Sequence, residues 1–177
     1  GITSAVYISF AADRFAQQGM PGIPERAAPA LMYILYGLFG LSGVLTDRVR
    51  DGIGLPWLLR LLLIAGAVSL ALVAMLPGHW LGLVPSAALQ GVNVMMTSAV
   101  LAFWSERLYP SVPALGFTAV LLATAAGSVI GPALAGMVAQ GIGAAAMFCG
   151  TATIPLAAAA ILRAGSVTER PVDMRAA

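Results

Sequence analysis

The sequence predicts an all-α integral membrane protein. Hydrophobic residues make up 60% of the 177 residues, charged residues only 9%, and the mean hydropathy is +0.94. Between Leu108 and Leu162 there is no Asp, Glu, Lys, Arg or His, whereas about a quarter of an average soluble chain is charged. Such a segment cannot form a water-facing shell, but it suits a bilayer, which rejects charged side chains.

Six apolar segments are long enough, or nearly long enough, to cross a bilayer. A hydrocarbon core about 30 Å thick requires about 20 apolar residues per helix. By that measure the predicted spans cover residues 1–12, 27–46, 57–76, 81–104, 114–140 and 144–162. The first is short and begins at Gly1 rather than Met, so we expect its start to be missing. Residues 1–163 therefore form one six-helix transmembrane bundle, and 164–177 form a polar tail.

The arginines orient the bundle. Alternating the predicted spans assigns seven arginines to one side and two, Arg14 and Arg26, to the other. The seven are Arg48, Arg50, Arg60, Arg107, Arg163, Arg170 and Arg175. Because basic residues stay in cytoplasmic loops, we expect the first side and the C-terminal tail to be cytoplasmic.

Composition also excludes several classes of function. The nine basic residues are all arginines spread thinly along the chain, so there is no basic stripe to bind nucleic acid. Cys149 is a lone cysteine inside an apolar span, which excludes a disulfide framework and a cysteine metal site. We expect neither a metal nor a cofactor.

Two glycine-containing motifs have a physical reason for their composition. In Gly43–Arg48, Gly43 permits close helix approach, Asp47 can face the positive end of a helix dipole, and Arg48 balances its charge. In Gly127–Gly136, small residues at 127, 131 and 136 allow two helices to pack closely. Pro132 removes a backbone hydrogen bond and bends the helix.

Together these motifs resemble two signatures of the major facilitator superfamily. Gly43-Val44-Leu45-Thr46-Asp47-Arg48 is similar to the loop after the second helix of each six-helix half, and Gly127-x-x-x-Gly131-Pro132-x-x-Ala135-Gly136 to the fifth-helix signature most associated with antiporters. The fourth helix of the N-terminal half usually carries an Arg three residues before a Gln-Gly pair, where this chain has Ala87 before Gln90. The resemblance therefore implies a C-terminal half, of an uncharacterised bacterial type.

That resemblance implies a mid-membrane solute cavity between the two halves, lined here by the first, second, fourth and fifth spans. On the fourth span Ser86, Gln90, Asn93 and Thr97 form one helical stripe. Because amides are costly in lipid, Gln90 and Asn93 must face protein or water. They either contact solute or join neighbouring helices by hydrogen bonds, and the stripe does not distinguish the two.

Tyr33 and Tyr36 on the second span, and Thr3 and Tyr7 on the first, are further candidate solute contacts, with packing or interfacial anchoring as the alternative. No ionisable residue lies deep in a complete span. A titrating group for proton coupling would then belong to the missing N-terminal half, and the lining suits an apolar or weakly polar solute.

Two other classes compete with transport. An intramembrane serine protease is suggested by Gly40-Leu41-Ser42-Gly43, but catalysis needs a histidine beside the serine. The sole histidine, His79, is predicted about a membrane thickness away, so we expect no enzyme. A membrane scaffold that binds a partner protein stays open.

The sequence thus predicts a secondary transporter of the bacterial inner membrane. It would move a small organic solute by alternating access, with proton-coupled antiport or efflux as one mode. Its partners would be the lipid bilayer, the solute and the missing N-terminal half.

Overall fold

The computed structural model describes residues 1–24, 26–108 and 113–162. In this part of the chain there are seven α-helices, one 3₁₀ turn at Leu41–Leu45, and no strand. The helices are α1 (Ile2–Gln18), α2 (Ala27–Gly40), α3 (Thr46–Ile53), α4 (Leu55–Met75), α5 (Trp80–Leu108), α6 (Pro113–Ile142) and α7 (Ala144–Ile161).

Five helical segments are long and apolar enough to cross a membrane, which makes this a multi-pass helical membrane protein. They cover Ala27–Ile53, Leu55–Met75, Trp80–Ser105, Ala114–Ile142 and Ala144–Ile161. The all-helical membrane class is therefore confirmed. The remaining long helix, α1, has 17 residues and carries Asp13 and Arg14 near its end, so its assignment as a sixth span stays a prediction.

The second predicted span differs from the structure at its end. We expected the helix to stop near Thr46 and a charged loop to follow, but the chain continues through the 3₁₀ turn into α3. The Thr46 hydroxyl donates to the Gly43 carbonyl at 2.5 Å across this junction. The first residue that ends the helical path is Gly54, whose positive φ of 82° favours glycine.

Helix α4 packs extensively against α5 and α7, while α2 packs on α5 and α1 on α6. Apart from Gln90, the largest fully buried side chains are aromatic, aliphatic or methionine, among them Tyr7, Phe15, Met32, Leu70 and Phe148. Since lipid is as apolar as these side chains, close van der Waals packing rather than water exclusion holds such helices together.

Glycine sets the distance between α2 and α5. A methyl group at Gly91 of α5 would overlap the Tyr36 carbonyl oxygen and lie 3.0 Å from the Gly40 nitrogen. The two backbones are thus in direct contact, which only a residue without a side chain allows. This contact fixes how α5 presents its polar residues to the other helices.

Candidate functional site

A cavity of about 560 Å³ lies between α1, α5 and α6, with Leu63 of α4 and Pro155 of α7 also on its wall. Its polar lining consists of hydroxyl side chains and one amide: Thr3, Ser4, Ser9, Asn93, Thr97, Ser98, Thr124 and Ser128. These residues come from the beginning of α1, the second half of α5 and the first half of α6. The cavity therefore occupies the end of the bundle that the arginine distribution assigns to the cytoplasm.

The side chains of this lining are uncharged. Among the described residues that form it, no side chain is ionisable, and the remainder are mainly aliphatic and aromatic groups such as Leu101 and Phe117. A concave, mostly apolar surface with a few converging polar groups is the usual form of a small-molecule site. These groups can orient a neutral solute by hydrogen bonds, but they offer no counter-charge to an ion.

Three of the predicted contact residues lie together in the cavity wall: Thr3 from α1, and Asn93 and Thr97 from α5. The Thr97 hydroxyl donates to the Asn93 side-chain oxygen at 3.4 Å. The Asn93 amide also packs against α4, where its nitrogen is 2.8 Å from the position of a methyl group at Gly66. A neighbouring hydroxyl and a close helix backbone thus hold Asn93 at the edge of the cavity.

Gln90 and Tyr7 lie outside this lining, in the packed interior. Both side chains are 0% exposed. The Tyr7 hydroxyl is 3.2 Å from the Ser86 hydroxyl, which itself donates to the Leu83 carbonyl at 3.1 Å, so Tyr7 is the donor to Ser86. Neither amide atom of Gln90 has a hydrogen-bond partner among the described residues.

The predicted tyrosines of α2 are not part of the cavity lining either, although Tyr33 contacts Ile8, which is. Tyr36 is half-buried and packs against the main hydrophobic core. Tyr33 is exposed, and its hydroxyl donates to the Ile8 carbonyl of α1 at 3.0 Å. As solute contacts, Tyr7, Tyr36 and Gln90 stay predictions, which this arrangement of the helices does not test.

Sequence reasoning missed the hydroxyls of α6. Thr124 and Ser128 line the cavity opposite α5, and the Ser128 hydroxyl donates to the Thr124 carbonyl at 2.9 Å. Their spacing of four residues places them on one helix face, which was a usable signal. This spacing was overlooked because Ser128 lies inside the glycine motif of the same helix.

The glycines of that motif form the contact between α6 and α1. A methyl group at Gly127 would lie 3.1 Å from the Ile2 nitrogen, and one at Gly131 would lie 3.1 Å from the Ile2 Cα. Gly136 faces the Phe10 ring, and Pro132 lies inside α6. The small residues thus bring α1 against α6 beside the cavity.

In the Gly43–Arg48 motif, the ion-pair partner of Asp47 is not the expected Arg48. Among the described residues Asp47 pairs with Arg50, at 3.1 Å, and not with Arg48, which is exposed. The reason is that α3 is helical here, and side chains three apart share a helix face whereas adjacent ones do not. Arg50 also pairs with Asp51 at 2.9 Å and lies 4.3 Å from the centre of the Phe103 ring. Gly43 packs against Met95 of α5.

The structure does not bring Ser42 and His79 together. Gly43, next to Ser42, packs on Met95, whereas His79 immediately precedes α5. At a rise of about 1.5 Å per residue, His79 and Met95 are roughly 24 Å apart along the axis of α5. Ser42, whose neighbour Gly43 packs on Met95, is therefore far from His79. A hydrogen bond between serine and histidine, which the protease hypothesis requires, is absent from the described residues.

Comparisons of the chain with protein-family models, with curated proteins and with solved structures found no match. A function must therefore be inferred from the cavity and from the helices that form it.

Proposed function

We propose that the chain is the C-terminal six-helix half of a major facilitator superfamily secondary transporter, which moves a small organic solute by alternating access. The observation that carries this proposal is the cavity of about 560 Å³ with hydroxyl and amide groups on α1, α5 and α6 of a membrane protein. Polar side chains at membrane depth are costly unless they serve a partner or a pathway.

The order of the cavity-lining helices supports the proposal. The family resemblance implies that the first, second, fourth and fifth helices of a half line the solute path. Here α1, α5 and α6, which correspond to the first, fourth and fifth predicted spans, contribute most of the lining. Tight packing of the α6 glycines on α1 suits a helix pair that moves as one unit.

The solute class follows from the chemistry of the wall. With no ionisable side chain in its described lining, the cavity suits a neutral solute with apolar and hydrogen-bonding parts. Proton-coupled antiport or efflux would need a titratable group from the N-terminal half. The proposal includes a bacterial inner membrane and a cytoplasmic C-terminus.

Uptake of isotope-labelled neutral organic solutes into membrane vesicles containing the protein tests this function. A solute whose uptake needs the wild-type protein should no longer be taken up when Asn93→Leu and Thr97→Val are combined. The matched control is Thr153→Val, since Thr153 is exposed on α7 outside the cavity lining and, within the described part of the chain, its hydroxyl bonds to the Gly150 carbonyl of its own helix. If no solute in the panel moves although the protein is inserted, transport is refuted and the scaffold alternative gains support.

A further inference from the structure

The polar stripe of α5 continues past the cavity into the packed core. Asn93 and Thr97 reach the cavity, while Gln90 and Ser86, on the same helix face, lie deeper and are 0% exposed. Tyr7 of α1 meets this deeper part through its bond to Ser86. We call Tyr7, Ser86 and Gln90 the inner tier.

Gln90 makes the inner tier unusual. Both its side-chain nitrogen and its oxygen are buried without a hydrogen-bond partner among the described residues. Leaving an amide desolvated and unpaired is unfavourable, and native structures seldom do so. Ser69, by contrast, is also 0% exposed but donates to the Ser86 carbonyl at 2.8 Å. Gln90 therefore has full hydrogen-bonding capacity available one helical turn from the cavity wall.

The helix contacts show how the inner tier could open. Helix α1 packs much more extensively on α6 than on α5, and Ile2 is held closely between Gly127 and Gly131. The Tyr7–Ser86 bond joins α1 to α5. A small movement of α1 with α6 would break this bond and extend the cavity to Gln90, and the contacts of α6 with α5 and α7 limit how far the pair can move.

We propose that the inner tier is a second level of the solute site, closed in this conformation, which binds the amide-like end of a neutral solute. This inference rests on the proposed transport function and adds to it both the solute's chemical class and the contact that controls access. The Gln90 amide presents a donor beside an acceptor, and hydroxyls can be either. A neutral group that also carries a donor and an acceptor side by side is its complement.

Cysteine accessibility tests the opening. The background is the full protein with Cys149→Ser. In it, the single variants Asn93→Cys and Gln90→Cys report the cavity and the inner tier. Leu70→Cys reports the closed core, since Leu70 on α4 is 0% exposed. N-ethylmaleimide should label N93C rapidly, Q90C slowly and L70C not at all. Adding Tyr7→Phe, which keeps the ring but removes the hydroxyl, should speed Q90C labelling by roughly fivefold, the population change expected when one buried hydrogen bond is lost.

The same variants keep the inference falsifiable. If Q90C is as unreactive as L70C both with and without Y7F, the inner tier does not open and the proposal is overturned. If Y7F speeds labelling of L70C as well, the substitution has loosened the whole bundle, which also contradicts a local opening at the seam between α1 and α5.

Benzamide, with acetophenone as a matched ligand that lacks the donor, tests the solute class. Because Q90C lacks the Gln90 amide, Ser86→Cys serves here as the reporter of the inner tier, since Ser86 is also 0% exposed and its replacement leaves Gln90 intact. Benzamide should slow labelling of both N93C and S86C in the Y7F background, and acetophenone should not protect S86C. Protection of N93C alone would refute the inner tier while leaving the proposed transport site intact. Protection at neither position overturns the assigned class, whereas the uptake assay decides transport separately.

Discussion

Gln90 and Asn93 lie one helical turn apart on α5, yet the structure gives their amides different surroundings. Asn93 lines the cavity and accepts a hydrogen bond from Thr97. Gln90 is 0% exposed, and its amide atoms have no partner in the described part of the chain. A buried polar group without a partner lowers stability by about 1–3 kcal/mol, so the two residues should respond differently to substitution.

At Gln90, the substitution Gln90→Leu should raise the free energy of unfolding by about 1–3 kcal/mol, because it removes an unpaired amide and keeps a similar volume. Asn93→Leu should not stabilise the protein, since Asn93 already has a polar partner. Denaturation in mixed detergent micelles measures both. Equal effects of the two variants would contradict the difference in surroundings.

For function, replacing both amides by leucine should abolish solute uptake while the protein stays inserted in the membrane. The double variant Q90L/N93L removes the proposed amide contacts on α5 without adding charge. Vesicle uptake, normalised to the amount of inserted protein, measures the effect. Uptake at the wild-type level would exclude Gln90 and Asn93 as solute contacts.

At the scale of the helices, α2 and α5 make a close backbone contact at Gly91 of α5. A methyl group at Gly91 would meet the Tyr36 carbonyl and the Gly40 nitrogen, which are backbone atoms and cannot rotate away. The helices themselves would have to separate. Since Asn93 follows Gly91 by two residues, such a shift would also move the cavity wall.

Gly91→Ala should therefore lower the free energy of unfolding by about 1–3 kcal/mol, as overpacking does in a tight interior. The matched control is Gly150→Ala on α7, where the space is open and the residue is exposed. There alanine should be neutral or stabilise the helix by up to about 1 kcal/mol. Unfolding measurements on both variants should differ in sign or size, and a similar loss in both would contradict the close approach.

Helix α3 allows the contacts of two arginines, Arg50 and Arg48, to be compared. Arg50 pairs with Asp47 and Asp51 and stacks on the Phe103 ring, whereas Arg48 is exposed. Arg50→Ala should lower stability by about 1 kcal/mol, the combined order of partly exposed ion pairs and a cation–π contact, and Arg48→Ala by less. A thermal-unfolding series in which the two variants behave alike would argue against this pairing.

Across the whole molecule, the cavity lies at one end of the bundle, and the arginine bias assigns that end to the cytoplasm. The orientation determines which side of the membrane the open cavity faces. Because the C-terminal tail is predicted to lie on the same side, locating the tail would report the side on which the cavity opens.

A fluorescent protein fused after Ala177 should fluoresce in a bacterial host, and alkaline phosphatase at the same position should be inactive, because the tail is predicted to be cytoplasmic. Fusing the same reporters within the outer turn near His79 should reverse both results. An active phosphatase at the C-terminus would invert the predicted topology and place the cavity on the outer side.

The helices themselves could be predicted from the chain because hydrophobicity is a local property. The last span was predicted at residues 144–162 and is helical over Ala144–Ile161, and the third was predicted at 57–76 and is helical over Leu55–Met75. A bilayer requires each crossing segment to satisfy its own backbone hydrogen bonds, so length and apolar composition suffice to locate helices. The glycine motif of α6 likewise indicated a close helix contact without naming its partner.

Packing between helices decided what local pattern could not. Ser86, Gln90, Asn93 and Thr97 share one face of α5, but contacts with α1 and α4 divide that face into a cavity wall and a closed seam. Asp47 pairs with Arg50 because the segment predicted to be a charged loop after Thr46 is helical. In each case the sequence specifies which side chains share a face, while the neighbouring helices, brought close by glycine, determine which of them meet a cavity, a partner or neither.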